Sequence, residues 1–230
     1  MGCRERLVWQ AICFGVVLLL GMLGCQPDPG RQQRRGVAAA LFDSHGLEGG
    51  RLVFSDDFAG TTLSESWLAH PKAKVAEGWL RLENVRNEPP LWLKVPLPEQ
   101  VRVEFEARAL TADGDIKVEI FGDGVRHESG YILVFGAHRN VEDWFARLDE
   151  HGPDRVTRAS RGVVQDRVYR MAVVRTDHRV RWFVDGEPFL LFDDPSPLRG
   201  PEHAYFAFNN WTSAVAFRGV RVYDLGAAAE

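Results

Sequence analysis

The sequence predicts an all-β fold, a sandwich of two antiparallel sheets. Three observations carry this. Short runs alternate apolar and polar residues, tight-turn dipeptides recur between the runs, and no long amphipathic helical pattern occurs in the 230 residues. Roughly a dozen short strands between regular turns make a sandwich or a barrel.

The elements follow in chain order. From residue 51 the pattern becomes strand-like. Val101–Ala109 alternates over its whole length. At about 3.3 Å per residue it spans roughly 30 Å, the height of a sandwich. Val101, Val103, Phe105 and Ala107 share its core face, and Arg102, Glu104, Glu106 and Arg108 share the other. Residues 115–120 alternate too, with Asp115, Lys117 and Glu119 outward. Residues 131–135 and 169–174 are more continuously apolar, as in central strands. Residues 144–148 are ambiguous, although Arg147 is expected to avoid the core. In Arg179–Val184, which leads through Asp185-Gly186 into EPFLLF, the pattern reads as a hairpin. Glu77-Gly78, Asp113-Gly114 and Asp123-Gly124 are further turn dipeptides, and Pro89-Pro90 and Asp194-Pro195-Ser196-Pro197 mark loops. Near the end, Phe206 and Phe208 are predicted to point inward, and Tyr205, Asn209 and Trp211 outward. Residues 215–217 and 220–222 close the pattern.

Before the sandwich stands a different kind of segment. Arg4 and Arg6 precede an uncharged apolar run over residues 11–23, which ends at Leu23-Gly24-Cys25. Basic start, apolar centre and small residue at a cut is the order of a secretory leader. The run is short beside the about 20 residues of a membrane span. The cysteine resembles that of a bacterial lipobox, which implies cleavage before Cys25 and lipidation of its thiol and new amine. An ordinary cleaved leader and an uncleaved single-pass anchor are the alternatives. The expected organisation is a leader over residues 1–24, a lipidated Cys25 and proline-, glycine- and glutamine-rich tether over 25–50, a sandwich over 51–225 and a tail over 226–230. Residues 38–42 have the composition for one helical turn. Gln26, rather than aspartate, after the cysteine points by resemblance to the outer membrane of a Gram-negative envelope.

Composition narrows the chemistry. All three cysteines, Cys3, Cys13 and Cys25, lie in or at the end of the leader, so the sandwich has neither disulfide nor thiolate. Loss of Arg4, Glu5 and Arg6 takes the formal net charge from −4 to −5. That mild acidity argues against a nucleic-acid partner. A monomer is expected.

A family resemblance rests on an opening Ser55-Asp56-Asp57-Phe58 with Trp67, the segment GWLRLEN from Gly78, the closing Phe206-Ala207-Phe208-Asn209-Asn210-Trp211, and the strand VAFRGVRV from Val215. These are similar to the concanavalin A-like lectin and glucanase superfamily, nearest to bacterial family-16-glycosidase-like and 3-keto-disaccharide-hydrolase-type domains. Ser129-Gly130 opens a stretch like the SGxxxR strand of those domains, but valine stands at 134 where arginine is expected. The resemblance implies a jelly-roll sandwich with a ligand on the concave face of one sheet. It covers nearly all of the expected sandwich, and it marks fold better than activity.

Two groups are candidates for that face. Trp211, Asn209, Arg147, Glu104 and Tyr205 form a carbohydrate-binding set, in which indole stacks on a sugar face and amide and charged groups meet hydroxyls. Packing of Trp211 on the sandwich edge is the alternative. Glu104 and Glu106, about 6.6 Å apart along one strand face, have the spacing for an acid/base pair, since retaining glycosidases hold two carboxylates about 5–5.5 Å apart. Arg102 and Arg108 flank them, so they equally fit a surface charge ladder. The family-16 Glu-x-Asp-x-Glu strand is absent. Asp115-Ile116-Lys117-Val118-Glu119 comes nearest, with lysine at the middle position. Histidine spacing gives no support for zinc, although His138 has a place from which to reach the cleft. No cofactor is expected, save that the resemblance implies a structural calcium, for which Asp56, Asp57 and Asp224 offer oxygens without calcium-loop spacing. The expected functions are therefore an envelope lipoprotein that binds carbohydrate, a glycoside-cleaving enzyme of the same fold, or a non-catalytic interaction module.

Overall fold

A computed structural model describes residues 46–226. The expected leader, Cys25, most of the expected tether, the expected turn at 38–42 and residues 227–230 lie outside the described residues. Fourteen strands occur among them: β1 (Arg51–Asp56), β2 (Ala73–Ala76), β3 (Trp79–Glu83), β4 (Leu91–Trp92), β5 (Val101–Ala109), β6 (Ile116–Gly122), β7 (Tyr131–Gly136), β8 (Glu142–Arg147), β9 (Val156–Ala159), β10 (Tyr169–Thr176), β11 (Arg179–Val184), β12 (Glu187–Asp193), β13 (Tyr205–Asn209) and β14 (Ala214–Asp224). The one helical element among the described residues, α1 (Ala137–Asn140), is a single turn.

The strands form two antiparallel sheets, as expected of a jelly-roll sandwich. The first runs β12-β11-β10-β5-β14-β3-β2 and the second β4-β13-β6-β7-β8-β9. Strand β14 is long enough to serve two partners on one edge. Its first half pairs with β3, from Ala214 opposite Glu83, and its second with β1, from Val220 opposite Asp56 to Asp224 opposite Arg51. A bulge at Arg218–Arg221, with Gly219 at φ +62°, bends the strand between the two halves. At the β11–β12 hairpin, Asp185 and Gly186 both take positive φ, the turn geometry that matches strand twist.

The alternation of β5 is realised: Val101, Val103, Phe105 and Ala107 are buried between the sheets. Phe208 is the hub of the core there. Its ring stacks on Phe217 at 4.0 Å and on Trp67 at 5.5 Å, and meets Phe105 edge-on at 5.4 Å. Burying each such ring contributes about 1.5–3 kcal/mol. Arg175 also points inward, its guanidinium 3.9 Å from the centre of Phe121 and donating to the Leu198 carbonyl at 2.7 Å.

Strand β7 is buried throughout, and its residues divide between two faces. Tyr131, Leu133 and Phe135 join the main core, while Ile132 and Val134 pack with Ala137, Trp144 and Ala146 in a second apolar cluster on the sheet's outer side. Gly130 enters this strand so close to β6 that a Cβ would lie 2.6 Å from the Ile120 carbonyl and from the Gly122 nitrogen. Ser129 beside it ties the β6–β7 loop, its Oγ accepting from the Asp123 N–H at 3.0 Å and donating to the Arg126 carbonyl at 2.8 Å. The Ser-Gly pair thus has a packing reason.

Candidate functional site

A cavity of about 710 Å³ opens on the outer face of the six-stranded sheet. Its size suits a small ligand or a few sugar rings. Strand β6 supplies the floor. Lys117 and Glu119 face outward as alternation requires, yet they are only 3% and 0% exposed because loops stand over them. The β6–β7 loop brings His127, and the loop after β8 brings Glu150 and His151. The segment between β13 and β14 brings Trp211 and Ser213.

These charges close into a ring. His127 Nδ1 is 2.6 Å from Glu119 Oε1 and its Nε2 is 3.1 Å from Glu150 Oε2, while Lys117 Nζ is 2.9 Å from the same Glu150 carboxylate. Burial opposes charge on His127, but hydrogen bonds to Glu119 and Glu150 outweigh it and raise the imidazole to about 9. Burial likewise opposes ionisation of Glu150, but His127 and Lys117 hold it down to about 2. For Lys117, Glu150 and Asp115 outweigh burial and raise the ammonium. Asp115 goes the other way. Burial pushes its carboxyl up, against the opposing pull of Lys117 and the Trp211 N–H that donates to Oδ2.

The opposite lip is made by α1. His138 and Arg139 have left-handed backbone, at φ/ψ 49°/51° and 59°/49°, and Asn140 follows at φ +68°. Each such residue costs about 1–2 kcal/mol. Asn140 offsets this through its amide, which accepts from the Val163 N–H and donates to the Val163 carbonyl, both at 2.7 Å. The turn sets the His138 ring edge-on to Trp144 at 4.8 Å and parallel to His151 at 6.2 Å.

The expected binding residues separate in the structure. Trp211 lines the cavity and is 47% exposed, and Arg86 lies 5.1 Å over its ring. Asn209 faces the same way but is 4% exposed and committed, its Nδ2 donating to Glu119 Oε1 at 2.8 Å and its Oδ1 accepting from the Asn210 N–H. It positions Glu119 rather than meeting a ligand. Tyr205 begins the same strand, about 13 Å away at strand rise, and packs on Gly124. Arg147 is a correction. It pairs with Tyr131 across β7–β8 and therefore shares the inter-sheet face, where Nε donates to Asp194 Oδ2 at 2.7 Å. The same carboxylate oxygen accepts from the Tyr131 hydroxyl at 2.7 Å.

Glu104 and Glu106 are a second correction. They lie on β5 in the other sheet, away from Trp211, and each has its own cation: Arg102 at 2.7 Å and Arg218 at 2.5 Å. Neither is placed to share chemistry with the cavity. The aspartates offered for calcium are also dispersed. Asp224 pairs with Arg51 at 2.8 Å, Asp57 with Arg221 at 3.4 Å, and Asp56 accepts from the Phe58 N–H, Ser64 and Trp67. His127, Glu128 and Glu150 escaped sequence reasoning, because they sit in two loops where no period signals them.

The sequence matches no family model and no curated protein. The fold, by contrast, is shared with many solved structures. One belongs to work on endo-acting O-glycanases that human gut microbiota express to initiate mucin breakdown, at 16% identity and TM-score 0.56, covering 76% of this chain and 100% of that one. An endo-β-1,3-glucanase from Pyrococcus furiosus matches at 14% identity and TM-score 0.56, over 78% and 96%. A protein of unknown function with a galectin-like fold from Bacillus subtilis matches at 13% and TM-score 0.58, over 77% and 97%. At these identities the likeness establishes the fold alone, a two-sheet antiparallel jelly-roll sandwich.

Proposed function

We propose that this protein is an envelope lipoprotein that binds carbohydrate in the cleft on the outer face of the six-stranded sheet. The observation that carries the reading is Trp211. Its half-exposed indole stands at the rim of a 710 Å³ cavity lined, besides Ala137 and Trp144, by polar or charged residues. A sugar offers a C–H face to such a ring and hydroxyls to the groups beneath it. Asp115, His138 and His151 are placed to meet those hydroxyls, while Lys117 and Glu150 hold each other at the base. Structural neighbours described as glycanases and glucanases support a glycan as the ligand.

The test is glycan-array binding by the purified chain. A specific hit that Trp211→Ala weakens at least about tenfold, with melting temperature unchanged, supports the reading, since tryptophan at the centre of a binding site commonly contributes about 2 kcal/mol or more. Equal binding by wild type and Trp211→Ala contradicts it. The anchor belongs to the same proposal and rests on the order of residues 4–25. Cys25→Ser is expected to leave the precursor uncleaved and unlipidated by metabolic palmitate labelling. Normal processing of that variant removes the anchor from the proposal.

A further inference from the structure

We propose that the cleft binds one divalent metal ion on His127, Glu128 and Glu150. One donor atom from each of these side chains lies within 4.8 Å of the other two. Ligands about 2.1 Å from a common ion stand about 3.4 Å apart in a tetrahedron. The His127 Nε2 to Glu150 Oε2 distance of 3.1 Å already fits that spacing. Glu128 is exposed, so its carboxylate has room to swing the remaining distance.

The imidazole is aimed at this point by a chain of contacts. Asn209 donates to Glu119 at 2.8 Å, and Glu119 in turn holds His127 Nδ1 at 2.6 Å. A histidine whose Nδ1–H is taken by a carboxylate presents the lone pair of Nε2, which is the usual second tier of a protein metal site. Without metal that nitrogen carries a proton toward Glu150 Oε2 at 3.1 Å, and a metal ion taking its place would release it. The loops that carry the ligands are also tied together, because Glu128 Oε1 accepts from the Glu150 N–H at 2.9 Å. Charge points the same way. Once the His127 proton has left, Glu119, Glu128 and Glu150 set against Lys117 leave two negative charges, which a divalent ion cancels.

One nitrogen and two carboxylate donors suit Zn²⁺ or Mn²⁺. Three protein ligands leave positions open toward the cavity, where water or a ligand hydroxyl completes the shell. The competing arrangement has a proton on His127 and the Lys117 ammonium as the only cations of the site. The proposal stands apart from the carbohydrate reading, because it is measured without sugar.

The experiment uses the full-length chain stripped with EDTA, titrated with MnCl₂ and with ZnCl₂ by calorimetry, and examined by pulsed EPR in the Mn²⁺ state. One ion per chain is expected, with nitrogen coupling from an imidazole. Glu119→Gln, which touches no metal, is expected to weaken binding about 10–100-fold as the loss of an orienting partner does. Glu128→Gln changes only an exposed side chain, so its loss of affinity is readable even where His127→Ala unfolds. No saturable uptake of either ion, no nitrogen coupling, or wild-type affinity in Glu128→Gln overturns the proposal.

Discussion

On the outer face of the eight-stranded sheet, Glu104 and Glu106 are part-buried but reached by solvent, each against one arginine of the same face. On the outer face of the six-stranded sheet, Glu119 has no exposure, and it shares His127 with a second carboxylate from a loop. Both sets arise from the same alternating pattern of strand residues. The difference lies in what stands above them. Solvent reaches the two carboxylates of the first set and screens them in part, whereas the loops around residues 127 and 150 cover the second and leave its charges dependent on one another.

Glu119→Ala is expected to break this contrast most strongly. It leaves His127 and Asn209 without their acceptor in a buried place, and a loss of about 3–5 kcal/mol in urea-unfolding free energy is expected. A loss comparable to that at the open face would show that the covered ring is no more coupled than a surface pair.

The pH dependence sharpens the comparison next. His127 is raised in the fold to about 9 from 6.5, so its contribution is full below pH 6.5 and lost as pH rises through about 9. Glu150 is lowered to about 2 from 4.5, so its contribution is full above pH 4.5 and lost as pH falls through about 2. Metal-free protein is therefore expected to melt highest between pH 4.5 and 6.5. In His127→Gln the decline on the alkaline side is expected to flatten. An unchanged alkaline limb in that variant refutes the assignment to His127.

The smallest effects belong to the open face. Glu104→Gln and Glu106→Gln are each expected to cost less than about 1 kcal/mol by the same unfolding measurement. Neither is expected to change glycan binding. A binding defect in either would mean that the eight-stranded sheet carries ligand after all.

Alternation made much of the sandwich legible. It placed Phe105, Phe206 and Phe208 in one core, and the turn at Asp185-Gly186 in one hairpin. It could say that Glu104 faces out, but not from which sheet, because inside and outside repeat identically in both layers. Arg147 was misplaced for a related reason. Trp144 and Phe145 are both apolar because this sheet is covered on both sides, so the strand has no readable phase. The cleft floor was half visible, since Asp115, Lys117 and Glu119 share a face in the sequence and in the fold. What stayed hidden were His127, Glu128 and Glu150. Loops have no period, and the contacts that make these residues a group cross 22 or more positions of chain between the two loops.

The division of β14 between two partners has a consequence for protein engineering. Because Arg51 lies opposite Asp224, the sandwich begins and finishes at one corner, one strand spacing apart. A short flexible linker between them would close the chain into a circle, and the exposed turn at Asp185-Gly186, distant in sequence from every residue of the cleft, is a natural place to reopen it. A circular permutant of this kind would present its ends on the flank away from that corner, freeing the molecule to be displayed in an orientation that the wild-type order of strands does not permit.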